Sequence, residues 1–232
     1  RVFAYASGLE FHLPTDAVQA FFAEAQSRGF RAFKMKVGHP DLAWDVARLR
    51  AVADVVGYDA QFMVDANEAW SPKEAIRRAY AYRDAGINLF WIEDPCLRDD
   101  FEGLARVAQE VSFAHINSGE YLDLHGKRML MEHRAVDILN VHGHISDTMR
   151  AGWLAGEYGI PVSLGNTPFE LGVHCAAALP EARWLEYSFH DNDMLVEQPV
   201  RFEDGYAIAP DRPGHGLALS QRAIDEFGRP EV

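Results

Sequence analysis

The sequence predicts an α/β fold of the TIM-type (β/α) barrel class, and three observations carry that expectation. Four short apolar runs, at 32–37, 62–64, 87–92 and 111–116, each hold or precede charge: Lys34 and Lys36, Asp65, Glu93 and Glu120. Counted from Lys36, the last three recur at intervals of 29, 28 and 27 residues, close to one strand-plus-helix unit. The runs are short and rich in Val, Ile and Phe, which suits buried parallel strands, and each intervening segment is long enough for one crossover helix. The same rhythm continued along the chain gives eight strand candidates and favours a closed barrel over an open sheet.

Taken in order, residues 1–8 form a partly aromatic strand candidate. No helix or turn precedes it, which suggests that something N-terminal is missing. Thr15 is placed to cap a helix whose apolar face is Val18, Phe21, Phe22 and Ala25, ending near Gly29. A strand follows at 30–37, where alternation puts Lys34 and Lys36 on one face and Phe33 and Met35 on the other. Pro40 opens the next helix, Val46, Leu49 and Val52 continue it at helical spacing, and Gly57 closes it. After the third strand, Ser71-Pro72-Lys73-Glu74 combines an N-cap, a first-turn proline and a capping-box glutamate. Gly86 ends that helix, and 87–95 holds the fourth strand and its exit. A helix at about 101–110 leads to the fifth strand, which ends at Gly119-Glu120. A helix at 124–133 leads to the sixth strand at 136–141. A helix at 151–158, a strand at 159–163, a helix at 173–178 and a strand at 184–187 complete the pattern. From Asp191 onward Pro and Gly become frequent and the repeat stops. Residues 1–190 therefore read as the barrel, and 191–232 as an irregular tail packed against it and against something missing.

At 232 residues the chain can bury a full core. No apolar run reaches the 18 residues of a membrane span, and nothing resembles a signal peptide. The net charge of −13 disfavours phosphate backbones and anionic lipid, so neither nucleic acid nor membrane is an expected partner. Cys96 and Cys175 are too few for a disulfide framework and read as core residues, which fits a cytoplasmic, reducing location. Of 22 basic residues only four are lysine: Lys34, Lys36, Lys73 and Lys127. Two of the four share one face of one strand. In a chain that otherwise uses arginine, that placement suggests that a titratable amine is wanted there.

An aspartate after a strand commonly caps a helix or sits in a solvated loop, and Glu93 before Asp-Pro says little alone. The triple says more, because a barrel sets Asp65, Glu93 and Glu120 at the ends of three neighbouring strands. Oxygen-only ligands suit Mg²⁺ or Mn²⁺ rather than zinc. Asn67 is either a further partner of such a site or a turn asparagine. For Lys34 and Lys36, neither the barrel interior nor the helix layer is wet, so a solvated role fits poorly. Lysines buried near a cation are expected to have lowered pKa values, as a general base requires.

Lys34-Met35-Lys36, Val64-Asp65-Ala66-Asn67, Trp91-Ile92-Glu93-Asp94-Pro95 and Ser118-Gly119-Glu120 together resemble the enolase superfamily, specifically its mandelate racemase-like branch. The resemblance spans nearly the whole chain. It implies a modified (β/α)7β barrel with Mg²⁺, or Mn²⁺, held by Asp65, Glu93 and Glu120, and a small-molecule carboxylate as substrate. Lys36 would then be the base that removes the proton α to the carboxylate, with Lys34 offsetting the growing enediolate charge. Glu186 matches a position that hydrogen-bonds the substrate carboxylate. The resemblance further implies a homo-oligomer and an N-terminal α+β capping domain, which this sequence lacks. This branch also pairs a sixth-strand Asp with a seventh-strand His. Here His142 stands where the Asp aligns and the seventh strand offers no His, which leaves His142 or His144 as the opposite-face acid, or as structural strand-end histidines.

The expected activity is dehydration of sugar acids or related hydroxy acids, that is, carbohydrate acid catabolism by a lyase. Absence of the usual dyad argues against two-base racemisation, while epimerisation and cycloisomerisation stay open. Two readings of another class are a Schiff-base aldolase with Lys36 as nucleophile and a non-catalytic homologue that keeps the metal site.

Overall fold

The computed structural model describes every residue except 9, 166–168, 189–191 and 230–232. Among the described residues, eight parallel strands alternate with seven helices: β1 (Val2–Ser7), α1 (Thr15–Ser27), β2 (Ala32–Lys36), α2 (Leu42–Val56), β3 (Gln61–Asp65), α3 (Pro72–Asp84), β4 (Trp91–Glu93), α4 (Phe101–Glu110), β5 (His115–Ser118), α5 (Leu124–Glu132), β6 (Ile138–Val141), α6 (Ile145–Tyr158), β7 (Val162–Leu164), α7 (Phe169–Ala178) and β8 (Ala182–Ser188). Each strand pairs with the next, and β1 pairs with both β8 and β2, so the sheet closes on itself. This is the predicted (β/α)7β barrel. The main core lies between the strands and the helical ring, built from residues such as Phe22, Leu49, Tyr82, Leu104 and Leu130. Cys96 and Cys175 are free and buried. Among the described residues, no helix is long and apolar enough to cross a membrane.

Several local expectations are corrected. Thr15 lies inside α1; Pro14, in extended geometry, holds the cap position, and its carbonyl accepts from Val18 N. Pro40 precedes α2, and Asp41 caps it by accepting from Ala43 N. Ser71 does cap α3, but the Glu74 carboxylate turns to Arg77 and Arg78, whose guanidinium groups outcompete a backbone amide. The fourth strand narrows to Trp91–Glu93, although Ile87 and Leu89 are buried before it. Helix α6 begins at Ile145, six residues before the apolar pattern suggests.

Parts of the described tail are regular. Strands β9 (Arg201–Glu203) and β10 (Tyr206–Ile208) form a hairpin, and β10 adds antiparallel to β1. Asp204 and Gly205 both take positive φ, the geometry that a two-residue hairpin turn demands. Phe202 of the hairpin packs on Phe30 with ring centres 4.3 Å apart. A last helix, α8 (Gln221–Phe227), is capped by Ser220. The boundary expected at 190/191 lies outside the described residues.

Candidate active site

Alternation along the strands splits the barrel interior into two layers. Toward the N-terminal ends of the strands, Tyr5, Ala32, Met63, Trp91 and Ile138 form a small apolar cluster, with Phe3, Phe90 and Trp184 packed against it. Two residues beyond Ala32, Met63, Trp91, Ile138 and Trp184 the inward positions turn polar, at Lys34, Asp65, Glu93, Asn140 and Glu186, and Asn117 on β5 and Ser163 on β7 are buried polar residues as well. A dry plug therefore supports a charged floor at the C-terminal end, where barrel strands deliver reactive side chains.

Strand register brings the charges together. Lys36 stands opposite Asp65, Asp65 opposite Glu93, and Tyr5 opposite Glu186. Lys34 Nζ donates to Glu93 Oε1 at 2.7 Å, lies 2.9 Å from Glu186 Oε1, and is 3.6 Å from Asp65 Oδ2. Lys36 Nζ donates to Asp65 Oδ2 at 2.5 Å. Asn140 Nδ2 gives Glu93 Oε1 a second hydrogen bond at 3.1 Å, while Glu93 Oε2 is buried without a partner. Both lysines point into the barrel, not into the helical shell.

Burial and the neighbouring carboxylates act on the two amines in opposite directions. Burial does pull Lys34 down, but Glu186 and Glu93 outweigh it and hold the ammonium well above its usual range. Burial likewise pulls at Lys36, and Asp65 raises it past its ordinary value. Lys34, the other cation of the pair, opposes the rise at Lys36. The carboxylates divide. Asp65 is lowered, because Lys34 and Lys36 overcome its burial. Glu93 is raised well above its usual range by burial and by Asp65 and Glu186, although Lys34 opposes this. Glu120 is raised by burial and by Glu186 and Asp65, again against Lys34. Acidic groups outnumber the two amines here.

Glu120 follows β5 through Gly119, whose φ of 118° suits glycine. It is buried and feels Lys34, Glu186 and Asp65, which places it beside the cluster. Among the described residues, no three His, Cys, Asp or Glu side chains are drawn together as a ready metal cage; the Lys34 ammonium stands among the acids instead. Asn67 is a turn residue with φ 46°, and its backbone N donates to Asp65 Oδ1. His142 and His144 line a cavity of about 460 Å³ between the loops after β5 and β6, with Tyr121, Lys127 and Arg150. His142 packs edge-on against Tyr121, 5.0 Å between ring centres, and burial, Lys127 and Arg98 lower its pKa. Sequence reasoning missed Tyr5, Asn117, Asn140 and Ser163 on the inner face. Asn117 Nδ2 donates to Ser163 Oγ at 2.9 Å across the interior. Their only sequence signal was a polar side chain at an inward position of an apolar run.

A family model described as enolase C-terminal domain-like matches residues 17–223. Among curated relatives, the chain is 35% identical to the 3,6-anhydro-alpha-L-galactonate cycloisomerase of Streptomyces coelicolor, over 97% of this chain and 62% of that protein. Among solved structures, a Mesorhizobium loti protein provisionally named a mandelate racemase is 56% identical, with a TM-score of 0.94 over 100% of this chain and 62% of that one. The L-talarate/galactarate dehydratase of Salmonella typhimurium, liganded with Mg and L-lyxarohydroxamate, is 31% identical, with a TM-score of 0.88 over 97% of this chain and 57% of that one. The chain thus spans less than two thirds of the length of these relatives. A closed (β/α)7β barrel with lysines on its second strand and acids ending its third and fourth, matched by this model over most of its length, belongs to the enolase superfamily, in its mandelate racemase-like branch.

Proposed function

We propose that this chain is the barrel of a Mg²⁺-dependent enzyme that removes the proton α to a carboxylate, acting on sugar acids or related hydroxy acids as a dehydratase. The observation that carries this reading is the meeting of Lys34, Lys36, Asp65, Glu93 and Glu186 at the C-terminal end of the barrel. An α-proton of a carboxylate is very weakly acidic, so a site that removes it must stabilise the dianion more than the ground state. Fixed cationic groups in a dry cleft do that.

The residues fit a hard divalent cation. Their donors are oxygens, their negative charge exceeds that of the two amines, and Glu93 Oε2 is a buried oxygen with no protein partner. Asp65, Glu93 and Glu120 would hold the ion, and Mn²⁺ has the same donor preference. When bound, it supplies positive charge that stabilises an enolised carboxylate. Lys36, at the mouth side of Lys34 on the same face, is the base, and it must first leave Asp65 and lose its proton. Lys34 lies deeper and remains an ammonium, offsetting charge that grows on the enediolate. Glu186, 2.9 Å from the Lys34 ammonium, is in this reading the partner of the substrate carboxylate, with one proton shared between the two groups. In this reading His142 or His144, lining the cavity with Tyr121, protonates a leaving hydroxyl. A second reading, cycloisomerisation, is favoured by the 35% identity to a cycloisomerase; it uses the same first proton transfer.

The test uses the full-length protein with Mg²⁺ and a panel of sugar acids in heavy water. Deuterium incorporation α to a carboxylate, with loss of water from one acid and silence in EDTA, is the expected result. Isomerisation without loss of water would select the second reading. Borohydride trapping of substrate on Lys36, with activity unaffected by EDTA, would replace both with a Schiff-base aldolase.

A further inference from the structure

We infer that Arg98 is a positioning residue for the cation site, one side chain tying together the three loops that carry Asp65, Glu93 and Glu120; the inference rests on the metal reading above. Arg98 lies in the loop between β4 and α4. Its Nε and NH2 donate to Asp94 Oδ2 at 2.8 and 2.7 Å. Its NH1 lies 3.0 Å from Glu68 Oε2, and its backbone N donates to Glu68 Oε1 at 2.8 Å. The guanidinium plane sits 4.8 Å over the Tyr121 ring. Glu68 follows Asp65 by three residues, Asp94 follows Glu93 directly, and Tyr121 follows Glu120 directly. Asp94 Oδ1 extends the tie to β5 by accepting from Ser118 Oγ at 2.6 Å.

The backbone shows why such a tie is needed. Asn67, Glu68 and Asp94 all take left-handed φ, at 46°, 64° and 39°, a conformation that is unfavourable for non-glycine residues and persists only where surrounding contacts enforce it. Each of these residues adjoins or nearly adjoins a proposed ligand. The Arg98 fork, with its side chain only 12% exposed, supplies the enforcing contacts for Glu68 and Asp94 together, which a point charge such as a lysine could not. Outer contacts of this kind commonly govern metal affinity about 10–100-fold.

Titration calorimetry of Mg²⁺ into the full-length protein tests this, with no dependence on a substrate. Arg98→Met is expected to weaken Mg²⁺ at least about tenfold, and Arg98→Lys to weaken it by less. Leu49→Ala, a buried truncation in α2, serves as a stability control: it should lower the melting temperature and leave Mg²⁺ affinity within about twofold, because α2 carries none of the proposed ligands and none of the Arg98 contacts. A folded Arg98→Met variant that binds Mg²⁺ as tightly as wild type would overturn the inference. So would an equal loss of affinity in Leu49→Ala, which would mark the effect as general destabilisation. If Arg98→Met does not fold, wild-type affinity in Arg98→Lys overturns it instead. Wild-type protein that binds no Mg²⁺ would sink the metal reading itself, a separate failure.

Discussion

Lys36 and Asp65 face each other across the β2–β3 ladder, their Cα atoms in register and Lys36 Nζ 2.5 Å from Asp65 Oδ2. One parallel pairing therefore puts the proposed base in contact with the first proposed metal ligand. Neither residue can move along its strand without a two-residue slip, because a one-residue slip of either strand would turn that strand's own residue outward. The spacing of 29 residues between them is thus a consequence of one βα unit closing onto its neighbour.

Lys36→Met keeps much of the stem's volume and removes the amine. Exchange of the substrate α-proton with solvent should fall by about 10²–10⁴-fold, the usual contribution of a positioned base. Mg²⁺ affinity should be kept or rise, since Asp65 loses a competing cation. Proton NMR of deuterium incorporation and calorimetry of Mg²⁺ check the two halves separately.

Glu93→Gln should weaken Mg²⁺ by tenfold or more while the barrel stays folded. The substitution removes an ionised ligand but keeps an amide oxygen that can still accept from Lys34 or Asn140. Calorimetry and thermal melting distinguish the affinity loss from unfolding.

Asp45 and Arg78 form a buried ion pair, Arg78 NH1 to Asp45 Oδ2 at 2.7 Å, with side chains 4% and 0% exposed. Asp45 also accepts from Gly38 N, His39 N and Tyr82 OH, and Arg78 NH2 donates to Pro40 O, so the pair fixes the loop that follows Lys36. Removing one partner leaves the other charge buried. Arg78→Met should therefore cost about 3–5 kcal/mol of stability in urea unfolding.

Glu74 is lowered from its ordinary 4.5 to about 2, chiefly by its hydrogen bond from Arg77, against the pull of burial. A carboxyl lowered on folding contributes stability that is present above its unfolded pKa and lost as pH falls through the folded one. The site is partly exposed, so solvent screening limits that contribution to about 1 kcal/mol. Unfolding of Glu74→Gln should differ from wild type by about this amount at pH 7. The gap should close between about pH 4.5 and 2.

Much of this was legible in the sequence where a charge ended an apolar run. Lys34, Lys36, Asp65 and Glu93 announced the inner face because alternation leaves little choice of direction. Asn140 did not, since an amide inside Ile138–Val141 reads as readily as a strand end. Arg98 was invisible because Glu68 lies 30 residues away in sequence and only the barrel brings them together. Helix starts shifted by one residue at Thr15 and by two at Pro40, where adjacent residues compete for the cap. The Asp204-Gly205 turn between two short strands was present in the tail, but its Pro and Gly content hid the hairpin.

The most direct test of the central claim is anomalous diffraction from crystals of the full-length protein soaked in Mn²⁺. A single strong peak in contact with carboxylate oxygens of Asp65, Glu93 and Glu120, within reach of Lys36, is the result that this account requires. A peak elsewhere, or none at that position while Mn²⁺ binds in solution, would contradict it.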